Sequence, residues 1–235
     1  MTLRNGITVS DPRLGRIPQF DERSKNFRIV DLLTEKKVRS YTWRCDTVLD
    51  QGDKGSCTGM GVTHELIARP AECKGLDVKF AEEKIYWEAQ KIDEFPGGAY
   101  PGAKPFSEGS SVLAATKIGR RLGYYEGYYW GFSVQDVLLG LSFHGPAVLG
   151  IYWYENMFDT DSKGYIRPTG QIAGGHCLLC NRIDIGEGCV HVHNSWGRSW
   201  GSNGTAKISF KDFGKLLSND GEAVFFVNRH IEPKV

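Results

Sequence analysis

The sequence predicts an α+β protein of two lobes that meet at a cleft, and three observations carry that expectation. Apolar residues recur at helical spacing through most of the first 145 residues, and strand-like runs dominate after Gly145-Pro146. Turn residues gather at the junctions: residues 95–107 are rich in Gly and Pro, and Ile185-Gly186-Glu187-Gly188 separates two strand-like runs. With 235 residues the chain can bury a sizeable core, as one large domain or two closely packed lobes. Helices and strands segregated in this way imply α+β layering.

Residues 1–39 stand apart from the rest. They are rich in charge and turn residues, including Asp11-Pro12 and Ile17-Pro18, and sustain no apolar period. We read an extended arm that packs along the body, because Phe27, Ile29, Val30, Leu32 and Leu33 need apolar surroundings. A partly disordered tail is the plainer alternative. The helical half spans 40–145. Its first helix covers 57–69 and stops at Pro70, which cannot continue a helix. Residues 80–92 carry Ile85, Ala89 and Ile92 on one stripe, an amphipathic helix of about three turns. A third helix covers 110–122, with Val112, Ala115, Ile118, Gly119 and Leu122 at helical spacing. Ser133 followed by Asp136 reads as an N-cap opening a helix that runs to Phe143. The β-rich half spans 146–235, with strands expected at 147–154, 176–185, 189–195, 205–210 and 222–228.

Composition excludes several classes. A formal net charge of +1 removes the simplest argument for nucleic-acid binding. No apolar run approaches the roughly 20 residues of a membrane span, so no membrane partner is expected. Residues 1–10 contain no apolar signal core, so a cytoplasmic protein, or one released by lysis or associated with a virion, is expected. Six cysteines are too few for a disulfide scaffold. We read Cys45, Cys73, Cys177, Cys180 and Cys189 as buried thiols, with a Cys45–Cys73 or Cys180–Cys189 disulfide left open.

Three short segments supply what thiol catalysis requires: Gln51 to Gly59, Gly174-Gly175-His176-Cys177, and Asn194-Ser195-Trp196-Gly197. Cys57 follows a Gly-Ser turn and opens a helix, where unpaired N–H groups favour thiolate over thiol. His176 begins a strand after two glycines, so its ring can project into a cleft. Asn194 ends the neighbouring strand, and its carbonyl can fix the orientation of the ring. Trp196 can cover that hydrogen bond. The Gln51 amide and the Cys57 N–H can both point at a developing oxyanion.

These residues resemble a papain-family cysteine peptidase. The Gln-x5-Cys spacing, the Gly-Gly-His strand, and the run from Asn194 to Gly204 (Asn-Ser-Trp-Gly-x-x-Trp-Gly-x-Asn-Gly) match that family in order. Asn194 lies within the roughly 130–150 residues after the nucleophile that the family shows, and His176 falls a little short. The resemblance covers about residues 40 to 228 and implies the papain-like two-lobe fold. A helical lobe would carry Cys57, a β-rich lobe would carry His176 and Asn194, and no cofactor or metal would be needed. Lys54 replaces a cysteine that is disulfide-bonded in secreted members, and Thr58 replaces a large aromatic. Both resemble the prokaryotic and phage-type branch. Trp43-Arg44 resembles the start of the mature domain. The 39 residues before it are too short for the usual inhibitory segment, and their Asp-Pro-Arg and Asp-Glu-Arg runs resemble the arms of that branch.

For substrate binding, the resemblance implies Gly109 and Ser110 along the peptide backbone, with Gly97-Gly98 as a rival. Ala147, Ala173 and Gly174 would line a pocket for the second residue before the scissile bond, and Gly175 and Trp196 are further substrate-binding candidates. Small residues there predict a roomy pocket for an apolar side chain. The expected partner is a peptide or protein substrate. The rival expectations are a catalytically silent structural or peptide-binding component and an amide hydrolase acting on cell-wall or isopeptide bonds, and a larger assembly is a further candidate partner. His191 and His193 share a strand face, but a metal site there lacks a further ligand of convincing spacing. His64 and His144 read as structural. The aromatic cluster Tyr124, Tyr125, Tyr128, Tyr129 and Trp130 reads as packing before it reads as a sugar or peptide platform.

Overall fold

Strand alternation builds the centre of the molecule. The computed structural model describes residues 1–234. Strands β3 (Ala147–Tyr154) and β4 (Ile172–Asp184) pair antiparallel, with Ala147 opposite Cys180 and Ile151 opposite His176. Period two sends their side chains to two different cores. Val148, Cys177 and Leu179 face the helical side, while Leu149, Ile151, Trp153, Leu178 and Cys180 face the other core. The end of β4 goes on to pair with β5 (Cys189–His193), which pairs with β6 (Thr205–Ser209). The sheet order is β2-β7-β3-β4-β5-β6, with the short β1 (Tyr41–Thr42) on β4. β7 spans Glu222–Arg229.

Helix α1 (Cys57–Ile67) is buried along its whole length, against β4 on one side and the π-helical segment Ala81–Tyr86 on the other. That segment lies between α2 (Val78–Phe80) and α3 (Trp87–Gln90), so the helix expected at 80–92 is present but contains a π turn. Helix α4 (Val112–Arg121) is capped by Ser111, whose hydroxyl accepts from the Ala114 N–H at 3.0 Å. Helix α5 (Val134–Phe143) opens at Ser133, whose hydroxyl accepts from the Asp136 N–H. α1 ends two residues before the expected boundary. Ala68 is already extended, two residues before Pro70.

Two elements differ from the sequence reading. Tyr125–Gly131 forms strand β2, paired antiparallel with β7, and Phe210–Ser218 forms helix α6. β1, β2 and α5 precede residue 145 yet pair with or pack on the sheet. The aromatic cluster has the β propensity of Tyr and Trp but no clean alternation, because both of its faces are partly covered.

The arm docks on the body. Residues 1–9 form a tight antiparallel loop, with the Leu3 N–H on the Ile7 carbonyl and the Val9 N–H on the Met1 carbonyl, both at 2.8 Å. Its buried anchors are Leu3, Val9, Leu14, Ile17 and Ile29. Of the five apolar residues singled out in the sequence only Ile29 is fully buried, and Phe27 and Leu32 stay largely exposed. All six cysteines are free thiols, which closes the disulfide alternatives. Among the described residues no helix is long and apolar enough to cross a membrane.

Candidate active site

His176, Asn194 and Gln51 are linked through Asn194-Ser195, and the docked arm runs from the His176 ring to Cys57. Cys57 is the first residue of α1, and Ser56 before it makes no side-chain cap, so no hydroxyl occupies the first N–H groups of the helix. His176 projects from β4 opposite Ile151. Its Nε2 lies 2.7 Å from Asn194 Oδ1. The same Oδ1 accepts the Ser195 N–H at 2.8 Å, which fixes the orientation of the amide. Nε2 must therefore donate, and Nδ1 is the basic nitrogen. Nδ1 is buried and has no hydrogen-bond partner among the described residues. Trp196 and Trp153 bracket the ring, with centroids 4.8 and 4.9 Å from it, and exclude water from the His–Asn bond.

Gln51 is held on three sides. Its backbone N–H donates to the Ser195 carbonyl, its Oε1 accepts from the Ser195 hydroxyl at 2.7 Å, and its Nε2 donates to the Lys54 carbonyl at 2.6 Å. The remaining Nε2 donor points into the cleft. It reaches the carbonyl of Arg13, at 3.1 Å.

That contact belongs to a strand-like run of the arm through the whole cleft. The Arg16 N–H donates to the Gly175 carbonyl at 3.0 Å, the Ser110 N–H to the Gly15 carbonyl at 3.0 Å, and the Ile17 N–H to the Ser110 carbonyl at 2.9 Å. Both bridges, Gly15 with Gly175 and Arg16 with Ser110, are parallel. The Gly15 backbone also faces the Cys57 thiol, and the Arg13 backbone faces the His176 ring. Such close backbone contact demands glycine on the cleft walls. A Cβ on Gly175 would lie 2.2 Å from the Arg16 carbonyl oxygen, and Gly109, at φ +100°, could not carry one without meeting Ile17. Arg13 closes the far side, its guanidinium 4.0 Å from the Trp196 ring centroid and paired with Asp11 at 2.6 Å.

Covered in this way, the pair is uncharged. Burial pushes the Cys57 thiol up to about 11 and His176 down to about 4. At neutral pH the site holds a protonated thiol and a neutral imidazole, and the helix N-terminus does not offset the loss of water.

Of the residues the sequence proposed for substrate contact, Gly109, Ser110, Gly174, Gly175 and Trp196 all touch or closely flank the arm in the cleft. Ala147 does not: it pairs with Cys180, and Gly150 further along β3 takes the place beside the cleft pocket. Sequence reasoning missed Arg13, Gly15 and Arg16, because nothing in Asp11 to Ile17 signals where the arm will lie. It also missed Ser195 as the brace of Gln51 and Glu222 as a wall residue. The histidine pair separates. His193 Nε2 lies 2.7 Å from the Thr47 carbonyl and its ring packs on His64, while His191 meets Glu187 and Cys189 within 4.8 Å. The Lys207 ammonium already sits 2.6 Å from Glu187.

No family model matches the chain. The solved structure of xylellain, a cysteine protease from Xylella fastidiosa, superposes with a TM-score of 0.71 at 15% identity, covering 94% of this chain and 98% of that one. The chain has the papain-like fold. The bromelain protease from Ananas comosus, solved in complex with the E64 inhibitor, gives a TM-score of 0.52 at 14% identity over 81% of this chain and 99% of that one. In sequence, cathepsin B-like cysteine proteinase 4 from Caenorhabditis elegans is 32% identical over 83 residues, 34% of this chain and 25% of that protein. Gamete and mating-type specific protein A from Dictyostelium discoideum is 25% identical over 138 residues, 57% of this chain and 29% of that protein. The matches span between a quarter and a third of the length of these curated relatives, and they support a relationship to the papain family.

Proposed function

We propose that the chain is a papain-like cysteine peptidase whose own arm holds it closed. The observation that carries the reading is the state of His176: Nε2 is engaged by Asn194 and Nδ1 is left free, in the cleft where α1 presents Cys57. Once the arm leaves, water and the helix N-terminus favour a thiolate–imidazolium pair. The Cys57 sulfur attacks the scissile carbonyl, and the oxyanion takes the Gln51 Nε2–H that Arg13 now occupies, together with the Cys57 N–H. The His176 imidazolium gives its proton to the leaving amine, forming the acyl-enzyme. The neutral ring then takes a proton from water, whose oxygen attacks the acyl carbon and releases the acid.

The test uses the reduced full chain, a peptidyl epoxide and intact mass. Native chain should gain an adduct slowly. Gly15→Ala should gain a single adduct quickly, because the added methyl would lie 1.9 Å from the Gly55 carbonyl oxygen and the arm must move. Cys57→Ala in the same background should gain none. An adduct that survives Cys57→Ala sinks the assignment. A second reading, a silent papain-fold component that binds a partner, is favoured by the buried, uncharged thiol and the filled cleft. It predicts no adduct in any variant, and an amide hydrolase of cell-wall or isopeptide bonds predicts the adduct without turnover of linear peptides.

A further inference from the structure

Away from the cleft, one face of the sheet gathers three side chains of the kinds that bind metal. Sequence reasoning sets His191 beside His193, and the structure gives it other neighbours. Cys189 and His191 stand two apart on β5 and share a face, and the turn before the strand returns Glu187 over them. The Glu187 N–H donates to Asp184 Oδ1 at 3.1 Å, and Gly188 takes φ +65°, which together hold that turn. One ligating atom from each of Glu187, Cys189 and His191 lies within 4.8 Å of the other two. Cys189 Sγ is 3.7 Å from Glu187 Oε2.

The fold itself makes little use of these groups. His191 Nε2 is buried without a hydrogen-bond partner among the described residues, and a buried ring nitrogen left unpaired costs stability. The Cys189 thiol is free and sits beside the Tyr165 hydroxyl. Arg182 on β4 and Lys207 on β6 flank His191 in register. Asp184 neutralises Arg182 at 2.6 Å, so Lys207 is the cation that an incoming ion must displace. Its ammonium lies 2.6 Å from Glu187 Oε2, and both side chains are partly exposed. A solvent-screened pair of that kind is worth little, and the flexible stem lets the ammonium swing into water. His191 and Lys207 also line an open basin of about 600 Å³, which gives an ion a way in.

We propose that Glu187, Cys189 and His191 form a site for a borderline-soft divalent cation of the zinc class, bound through a carboxylate oxygen, a thiolate and an imidazole nitrogen. The thiolate selects against calcium and magnesium, which take oxygen donors, and the mixed set suits tetrahedral zinc with water in the fourth position. Binding forms the metal–sulfur bond as the thiol proton leaves to water. The thiolate and the carboxylate then balance the two positive charges, and the unpaired ring nitrogen gains a partner. The ion would tie the turn to β5, the strand that runs on toward Asn194. The site stands whether or not the cleft is a peptidase.

The test uses the untagged full chain, reduced and desalted, as Cys57→Ala so that the cleft thiol cannot take the ion. Calorimetry with zinc chloride should show one ion per chain. Cobalt(II) in place of zinc should give a thiolate-to-cobalt charge-transfer band, and magnesium should not bind. Cys189→Ser and His191→Gln should each weaken zinc by roughly 100-fold or more, at or above the upper end of what losing a residue behind a ligand costs. Glu187→Gln, a change on a half-exposed turn side chain that leaves the core untouched, should weaken it as well. Lys207→Gln removes the competing ammonium and should tighten binding a few-fold. Zinc should raise the thermal unfolding midpoint of the parent and leave that of Cys189→Ser in place. The proposal fails if zinc binds neither the parent nor Lys207→Gln, if cobalt shows no thiolate band, or if zinc affinity survives Cys189→Ser. Affinity lost in Cys189→Ser but kept in both His191→Gln and Glu187→Gln would mean a lone thiol, and that overturns it too.

Discussion

Cys57 and Gln51 set what can be measured at the residue scale. Burial under the arm holds the thiol near 11, so it stays protonated through neutral pH and its alkylation rate should climb only as pH rises toward that value. Moving the arm aside restores water and removes the cause of the shift. The midpoint should then fall toward the roughly 3.5–7.5 seen for thiols at helix N-termini beside histidine. Iodoacetamide rates against pH, read by intact mass on native and Gly15→Ala chains, check the direction, and coincident profiles would refute it. In the open chain, Gln51→Ala removes one oxyanion donor and should lower kcat about 10²–10³-fold with little change in KM. Asn194→Ala should leave partial turnover, since it frees the ring without removing the base. Fluorogenic peptide kinetics separate the two. The catalytic candidates were legible in the sequence because each sits in a short run of fixed spacing. Arg13 and Glu222 were not, because each matters only through a partner that lies far away in the chain.

The element that decides the state of the site is the arm between Asp11 and Ile17. It behaves as an added strand: three backbone hydrogen bonds tie it to Gly175 and Ser110, one lobe on each side. Those bonds predict a signature in hydrogen exchange. The Arg16, Ile17 and Ser110 amides should be protected together in the native chain and lose protection together in Gly15→Ala, while amides in β3 and β4 stay unchanged. Independent exchange at the three sites would mean that the segment does not dock as a unit. The same periodicity that made β3 legible hid β2: Tyr125–Gly131 is partly covered on both faces, so it shows no alternation.

For the whole molecule, the arm is anchored by ion pairs far apart in sequence. Arg4 meets Asp93 at 2.7 Å with both side chains fully buried, and it also donates to the Gln90, Phe95 and Pro96 carbonyls. Asp93 in turn accepts from the Ser110 hydroxyl, which places the anchor one side chain away from the cleft wall. Arg4→Ala strands a buried carboxylate and should lower the unfolding free energy by about 3–5 kcal/mol. Urea denaturation followed by tryptophan fluorescence reads this as a midpoint shift, and an unshifted midpoint would show that the pair anchors nothing.

By itself the sequence determined the α+β class, most strands and helices, and the order of Gln51, Cys57, His176 and Asn194, because periodicity, capping and motif spacing are local properties of the chain. Tertiary structure alone decided where residues 1–39 lie, that β2 joins the sheet ahead of the expected division, and that Arg16 fills the space in front of Glu222. The arm has little regular structure of its own, so its path follows from shape and hydrogen-bond partners on surfaces assembled from both halves. The protonation of the thiol follows from the same cause, since burial depends on what finally covers a group and not on its neighbours in sequence.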